Sequence, residues 1–99
     1  MDTTATNLPA MHMDILQECN DLYARKNHDY GDSFHKTFLE EGFAMSRIRL
    51  SDKLERFKTL SRAENAQQVH DESLEDTLKD IINYATMTIM EMRRADNNE

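Results

Sequence analysis

The chain has 99 residues, a formal net charge of −7 at neutral pH and a mean hydropathy of −0.80. That length supports one domain with one modest core, and the acidity argues against binding duplex nucleic acid through a general basic surface. Two glycines and one proline remove most of the vocabulary of β-turns and hairpins, so a composition rich in Met, Leu, Glu, Lys and Arg points to an all-α protein.

Residues 1–9 are polar, small and aperiodic, and are expected to form a flexible arm; residues 95–99 read as a polar tail, leaving one helical domain over 10–94. Pro9 suits the first turn of a helix, where its missing N–H is not needed. A first helix is expected from about Ala10 to Lys26, with Met11, Ile15, Cys19 and Leu22 as its apolar stripe. Cys19 is the sole cysteine, so no intramolecular disulfide can form, and its place in the stripe suits a small buried side chain. The segment Lys26 to Phe34, KNHDYGDSF, breaks the period with turn and cap formers. Asp32 or Ser33 can cap a short second helix reaching Glu40 or Glu41, and Gly42 is a suitable stop. A third helix is expected from about Phe43 to Arg62, with Phe43, Leu50, Leu54 and Phe57 on one stripe. Residues 63–70 form a polar link. The last helix, within 71–94, places Leu74, Leu78, Ile81, Ile82, Ala85, Ile89 and Met92 in one stripe about 100° wide, which reads as its core face. Glu72, Asp76, Asp80 and Asn83 fall on the other side, continued by Met87 and Met90, so that side turns from polar to apolar along the helix and is expected to be covered as well.

The expected architecture is a compact antiparallel bundle of three main helices plus one short one, and a bundle this small with Met-rich flanks gains from forming a homodimer or higher homo-oligomer. The first ten residues show no basic segment followed by an apolar run, as a signal peptide would, and no stretch approaches the roughly 20 apolar residues of a membrane span. The expectation is a soluble, cytoplasmic protein.

Three groups of residues carry potential chemistry. Glu72, Asp76 and Asp80 recur at i, i+4, i+8, so their carboxylates can converge on a hard cation such as Mg²⁺. Helix capping by Ser73 with Asp76, and the favourable placing of acids in a first helical turn, account equally for Glu72, Glu75 and Asp76, but not for Asp80. On the third helix Arg49, Asp52, Lys53 and Arg56 share one flank: three cations able to grip phosphate, with Asp52 as a further metal ligand. The alternative is a solvated face with i,i+4 ion pairs such as Asp52 with Arg56; packed against the acidic face of the last helix, the row would make either the second half of a metal–phosphate site or interhelical salt bridges. In the turn, Lys26 can meet a phosphate and Tyr30 can stack on a base, or the turn is simply capped around a buried tyrosine. His12, His28, His35 and His70 lack zinc spacing, and no phosphate-binding glycine loop or nucleophile motif is present.

KNHDYGDSF, RLSDKLERFKTL and DESLEDTLKDIINYATM, in that order over roughly residues 10–93, resemble the small phage and bacterial domain called nucleotide modification associated domain, type 1. More loosely, the chain is similar to the all-α MazG-like and dimeric dUTPase nucleoside triphosphate pyrophosphohydrolases. These are helical, usually oligomeric, and hold Mg²⁺ with a Glu-x-x-Glu … Glu-x-x-Asp set. Here Asp52-x-x-Glu55 and Glu72-x-x-Glu75 occupy those places, with Asp and Glu exchanged at the first and last positions. The resemblance implies a nucleotide-binding protein that hydrolyses a nucleoside triphosphate to monophosphate and pyrophosphate. Asp52, Glu72, Asp76 and Asp80 would hold Mg²⁺, with Glu55 or Glu75 as base. Lys26, Arg49, Lys53 and Arg56 would bind phosphate, and Tyr30 and Asn83 the base or sugar. Two other readings stand beside it. One is a non-catalytic oligomer that sequesters a nucleotide or nucleotide-derived signal; the other is a protein-interaction bundle with Met45, Ile48, Met87 and Met90 as its contact surface.

Overall fold

The computed structural model describes residues 7–30, 32–62 and 73–97, without the side chains of residues 29 and 30, and among these residues it contains four helices and no strand. Helix α1 spans Leu8–Tyr30, α2 Ser33–Glu41, α3 Phe43–Arg62 and α4 Glu75–Asn97. None is long and apolar enough to cross a membrane. Residues 1–6 of the expected arm and the link at 63–72 lie outside the described residues.

Helices α1 and α4 run further than the local signals indicate, whereas α2 and α3 keep the expected bounds. Helix α1 starts at Leu8, with the Asn7 carbonyl accepting the Met11 N–H at 3.0 Å, so Pro9 sits in its first turn. At the other end it passes through Asn27, His28 and Asp29 to Tyr30, four residues beyond the expected stop at Lys26. Each of these residues costs a formed helix only about 0.7 kcal/mol or less relative to alanine, which is too little to end it. Gly31 is the first residue in this stretch with a larger penalty. Likewise α4 continues through Ala95, Asp96 and Asn97, where a tail was expected.

Helix α2 ends as its sequence indicates. Gly42 takes φ +66° and its N–H reaches the Phe38 carbonyl at 2.7 Å. A Cβ there would meet nothing within 4 Å, so glycine is favoured by conformation and not by space. Asp32 precedes α2, but its side chain makes no capping bond. Its carboxylate instead meets the Arg94 guanidinium, Oδ1 at 3.4 Å from Nη1 and Oδ2 at 3.3 Å from Nη2.

The chain divides into two compact units, Met1–Gly31 and Asp32–Glu99. In the first, Cys19 is buried, as its stripe suggested, whereas Met11 and Ile15 are exposed. In the second, α3 and α4 pack extensively and α2 touches both. Two contacts fix the direction: Ser46 Oγ lies 2.8 Å from Thr88 Oγ1, and Lys53 Nζ lies 2.9 Å from Asp80 Oδ2. Seven residues forward on α3 correspond to eight back on α4, so the two helices are antiparallel.

The face that α4 turns to its neighbours is not the one its hydrophobic period marks. Thr77 and Glu91 are buried, and Asp80, Tyr84 and Thr88 share their side of the helix, with partners on α2 and α3. The apolar stripe is rotated by about 110° from that line. On it Leu78, Ile89 and Met92 remain 41%, 48% and 48% exposed. The packed face is held by specific polar pairs: Thr88 with Ser46, Asp80 with Lys53, and Glu91 with His35 at 2.6 Å between Oε1 and Nδ1. On α3 the buried residues are Met45 and Ser46, while Phe43 and Leu54 of the expected stripe are exposed. In an antiparallel pair, residues displaced in the same rotational sense from the contact line emerge on the same side of the pair. By that rule Phe43 and Leu54 lie beside Leu78, Ile89 and Met92 on one apolar side, and Arg49, Asp52 and Arg56 emerge on the other.

Candidate functional site

Helix α3 carries six of the chain's twelve lysines and arginines against two carboxylates, in a protein whose net charge is −7. Three of these cations share a flank because 49, 53 and 56 are spaced by four and three residues. Arg49, Asp52, Lys53 and Arg56 line an open pocket of about 300 Å³, closed on the α4 side by Tyr84. The register explains Tyr84: it lies one turn beyond Asp80, which is already paired with Lys53. Its ring stacks on Phe34 of α2, with centroids 6.2 Å apart and planes 26° apart, so α2 fixes the aromatic wall.

On this flank Arg49, Asp52 and Arg56 are exposed and Lys53 is half-buried. The i,i+4 pair Asp52–Arg56 is not formed, and among the described residues neither Arg49 nor Arg56 makes an ion pair. Like charges at i,i+3 and i,i+4 cost a helix about 0.2–0.5 kcal/mol per pair, and Lys53 has one such neighbour on each side. Lys53 is held by Asp80, with their side chains 29% and 17% exposed. Asp80 therefore faces the cationic row, and its carboxylate fixes the ammonium beside the pocket. Loss of this half-buried pair in Asp80→Asn is expected to lower stability by about 1–2 kcal/mol, read as a lower urea midpoint; an unchanged midpoint would show that the pair contributes nothing.

Glu55, Glu75, Asp76 and Asn83 do not line the pocket. Glu55 is on α3, but its exposed carboxylate lies 3.3 Å from Lys58 and does not line the pocket. Glu75 begins α4 and pairs with Lys79 at 3.2 Å. Asp76 is exposed on the same first turn, and Asn83 is half-buried; neither lines the pocket. Glu72 lies outside the described residues. Among the described residues, no three histidine, cysteine or carboxylate side chains gather as a metal ion would need. Lys26 and Tyr30 are on α1, in the other unit. Lys26 is exposed, and Tyr30 is the last helical residue.

Sequence reasoning missed Tyr84 and Phe34. The available signal was Tyr84 at i+4 from Asp80, which puts the ring on the same face as the carboxylate best suited to meet the cationic row.

A family model described as nucleotide modification associated domain 1 matches residues 26–92, about two thirds of the chain. That match takes in α2, α3 and all the pocket residues. No curated protein and no solved structure matches the chain.

Proposed function

We propose, from the premise that this chain belongs to the nucleotide modification associated domain 1 family, that its α3–α4 pocket binds the phosphate of a nucleotide. The observation that carries this reading is the convergence of Arg49, Lys53 and Arg56 on a pocket with an aromatic wall, Tyr84. Guanidinium groups without carboxylate partners offer forked N–H donors to phosphate oxygens. A phenol ring held by a second ring offers a platform for a base. The family description favours a nucleotide over other phosphate esters.

Hydrolysis is the second reading, and Asp52 favours it. Mg²⁺ commonly takes one or two protein carboxylates and fills its octahedron with waters and substrate phosphates. Asp52 is the carboxylate in the pocket lining that would hold a metal arriving on the nucleotide. When bound, such a metal would polarise the phosphate. Arg49, Lys53 and Arg56 would position the phosphate without it. Glu55 and Glu75, the candidate bases, pair with Lys58 and Lys79 away from the pocket, which supports binding ahead of turnover.

Self-association completes the reading. The apolar side formed by Phe43, Leu54, Leu78, Ile89 and Met92 is opposite the pocket, and each of the five is between 41% and 52% exposed. An exposed apolar patch of this kind can pair with its own copy about a two-fold axis. Leu78→Glu with Ile89→Glu is expected to convert a dimer to a monomer in light scattering while leaving the helical circular dichroism unchanged. A wild-type protein already monomeric at tens of micromolar would contradict this.

The test of the main reading is a thermal-shift screen of nucleotides with and without Mg²⁺, followed by assay for pyrophosphate. A ligand at 100 times its Kd stabilises by about 2.7 kcal/mol. No shift with any nucleotide would overturn the proposal. Release of pyrophosphate only with Mg²⁺ would establish the second reading.

A further inference from the structure

The pocket's charge and size narrow its ligand class, an inference that rests on the phosphate-binding reading above. Three cations and one carboxylate, Arg49, Lys53, Arg56 and Asp52, line it, and Asp80 pairs with Lys53 at 2.9 Å beside them, which leaves a formal surplus of one positive charge. A phosphomonoester carries about −1.5 to −2 at neutral pH, which is closer to that surplus than the larger charge of a di- or triphosphate. A second and third phosphate would add negative charge beside Asp52, in a protein whose net charge is already −7. The volume of about 300 Å³ is also at the lower end of the roughly 300–1,000 Å³ of small-molecule sites. A seven-residue spacing puts Arg49 and Arg56 about 10.5 Å apart along the helix axis, with Lys53 between them and its ammonium held in place by Asp80 at 2.9 Å. Guanidinium forks on either side of a fixed ammonium offer a terminal phosphate donors for its many oxygen lone pairs. Tyr84, on the opposite wall and backed by Phe34, is then left for the ring of the same small molecule.

We infer that the α3–α4 pocket is built for a nucleoside monophosphate: one phosphate dianion between Arg49, Lys53 and Arg56, and the base against Tyr84. Phosphate supplies the charge recognition and the ring supplies selectivity over inorganic phosphate. Asp52 faces the pocket as a repulsive group that discourages longer phosphate chains, in the way specificity is often set by what a site rejects.

The experiment is isothermal titration of the full chain with deoxythymidine and deoxyadenosine, their mono- and triphosphates, and inorganic phosphate, each in EDTA and again in Mg²⁺. In EDTA the monophosphate is expected to bind at least tenfold more tightly than the triphosphate, and more tightly than either inorganic phosphate or the nucleoside, and Mg²⁺ is expected to narrow the first difference by screening Asp52 from the longer chain. Asp52→Asn is expected to narrow the gap by improving triphosphate binding in EDTA. Arg56→Gln is expected to weaken the monophosphate tenfold or more, and Tyr84→Leu to remove its advantage over inorganic phosphate, with helical circular dichroism as the check on folding. Tyr84→Phe, which preserves the ring packed on Phe34, is expected to retain that advantage. Triphosphate binding as tight as or tighter than monophosphate in EDTA would overturn this inference while leaving the phosphate site itself standing. Absence of binding by every phosphate compound would instead overturn the proposed function.

Discussion

Replacing Arg49 and Arg56 together by glutamine is expected to weaken nucleotide binding by at least about a hundredfold and, at the same time, to leave the fold slightly more stable. A hydrogen bond to a charged group is worth about 1.5–3 kcal/mol. Two guanidinium contacts therefore account for two decades or more of affinity, since about 1.4 kcal/mol is a factor of ten. The stability effect has the opposite sign. Neither arginine makes an ion pair among the described residues, and each sits one helical turn from Lys53. Removing two like-charge neighbours relieves about 0.2–0.5 kcal/mol each. A residue that costs stability where it stands, and whose loss removes binding, marks a functional site. Titration calorimetry and urea unfolding on the same variant give both signs. A fall in stability with binding retained would assign these arginines to the structure instead.

Glu91→Ala is expected to be the most damaging single change to the fold, at about 2–3 kcal/mol, with a melting temperature lower by roughly 10–20 °C for a domain of this size. Glu91 is only 6% exposed. Its Oε1 accepts from His35 Nδ1–H at 2.6 Å and its Oε2 from Arg94 Nη1 at 3.4 Å. Truncation leaves both donors short of an acceptor beside a small void. Arg94 retains its fork on Asp32 and is itself half in solvent, which keeps the cost below that of a fully buried pair. Glu91→Gln keeps an oxygen for His35 and is expected to cost about 1 kcal/mol. Because this network ties α2 to α4, and α2 carries the Phe34 ring that backs Tyr84, Glu91→Ala is also expected to loosen the aromatic wall of the pocket. Differential scanning calorimetry checks the stability; a change of less than about 0.5 kcal/mol would remove the network from the account.

The helices were legible because their signals are local. A 3.6-residue period, the scarcity of glycine and proline, and Gly42 at a position needing positive φ are all read within one turn of chain. The cationic row was legible for the same reason: Arg49, Lys53 and Arg56 share a flank on any helix. The packed face of α4 was not. Thr77, Tyr84, Thr88 and Glu91 carry no hydrophobic signature, and Tyr84, Thr88 and Glu91 are paired with residues 42 to 56 positions away. A period analysis ranks faces by apolar content, so it assigned Leu78, Ile89 and Met92 to the core, and they are exposed. Asp80 lies off that apolar stripe, where the sequence leaves a metal ligand and an interhelical salt bridge to the cationic row both open; the antiparallel register brings it to Lys53, a choice that neither helix makes alone. The end of α1 was misjudged because Asn27 and Asp29 favour turns and are also tolerated in a helix that is already formed.

The central claim is that a nucleotide phosphate sits between Arg49, Lys53 and Arg56 with Tyr84 beside it. The most direct measurement is a titration of isotope-labelled protein with deoxythymidine monophosphate, following backbone amide and arginine side-chain resonances. The account predicts saturable shifts centred on 49–56 and 80–84, with the Arg49 and Arg56 guanidinium signals moving most. Shifts confined to the apolar side at Leu78, Ile89 and Met92, or no shifts at millimolar ligand, would contradict it.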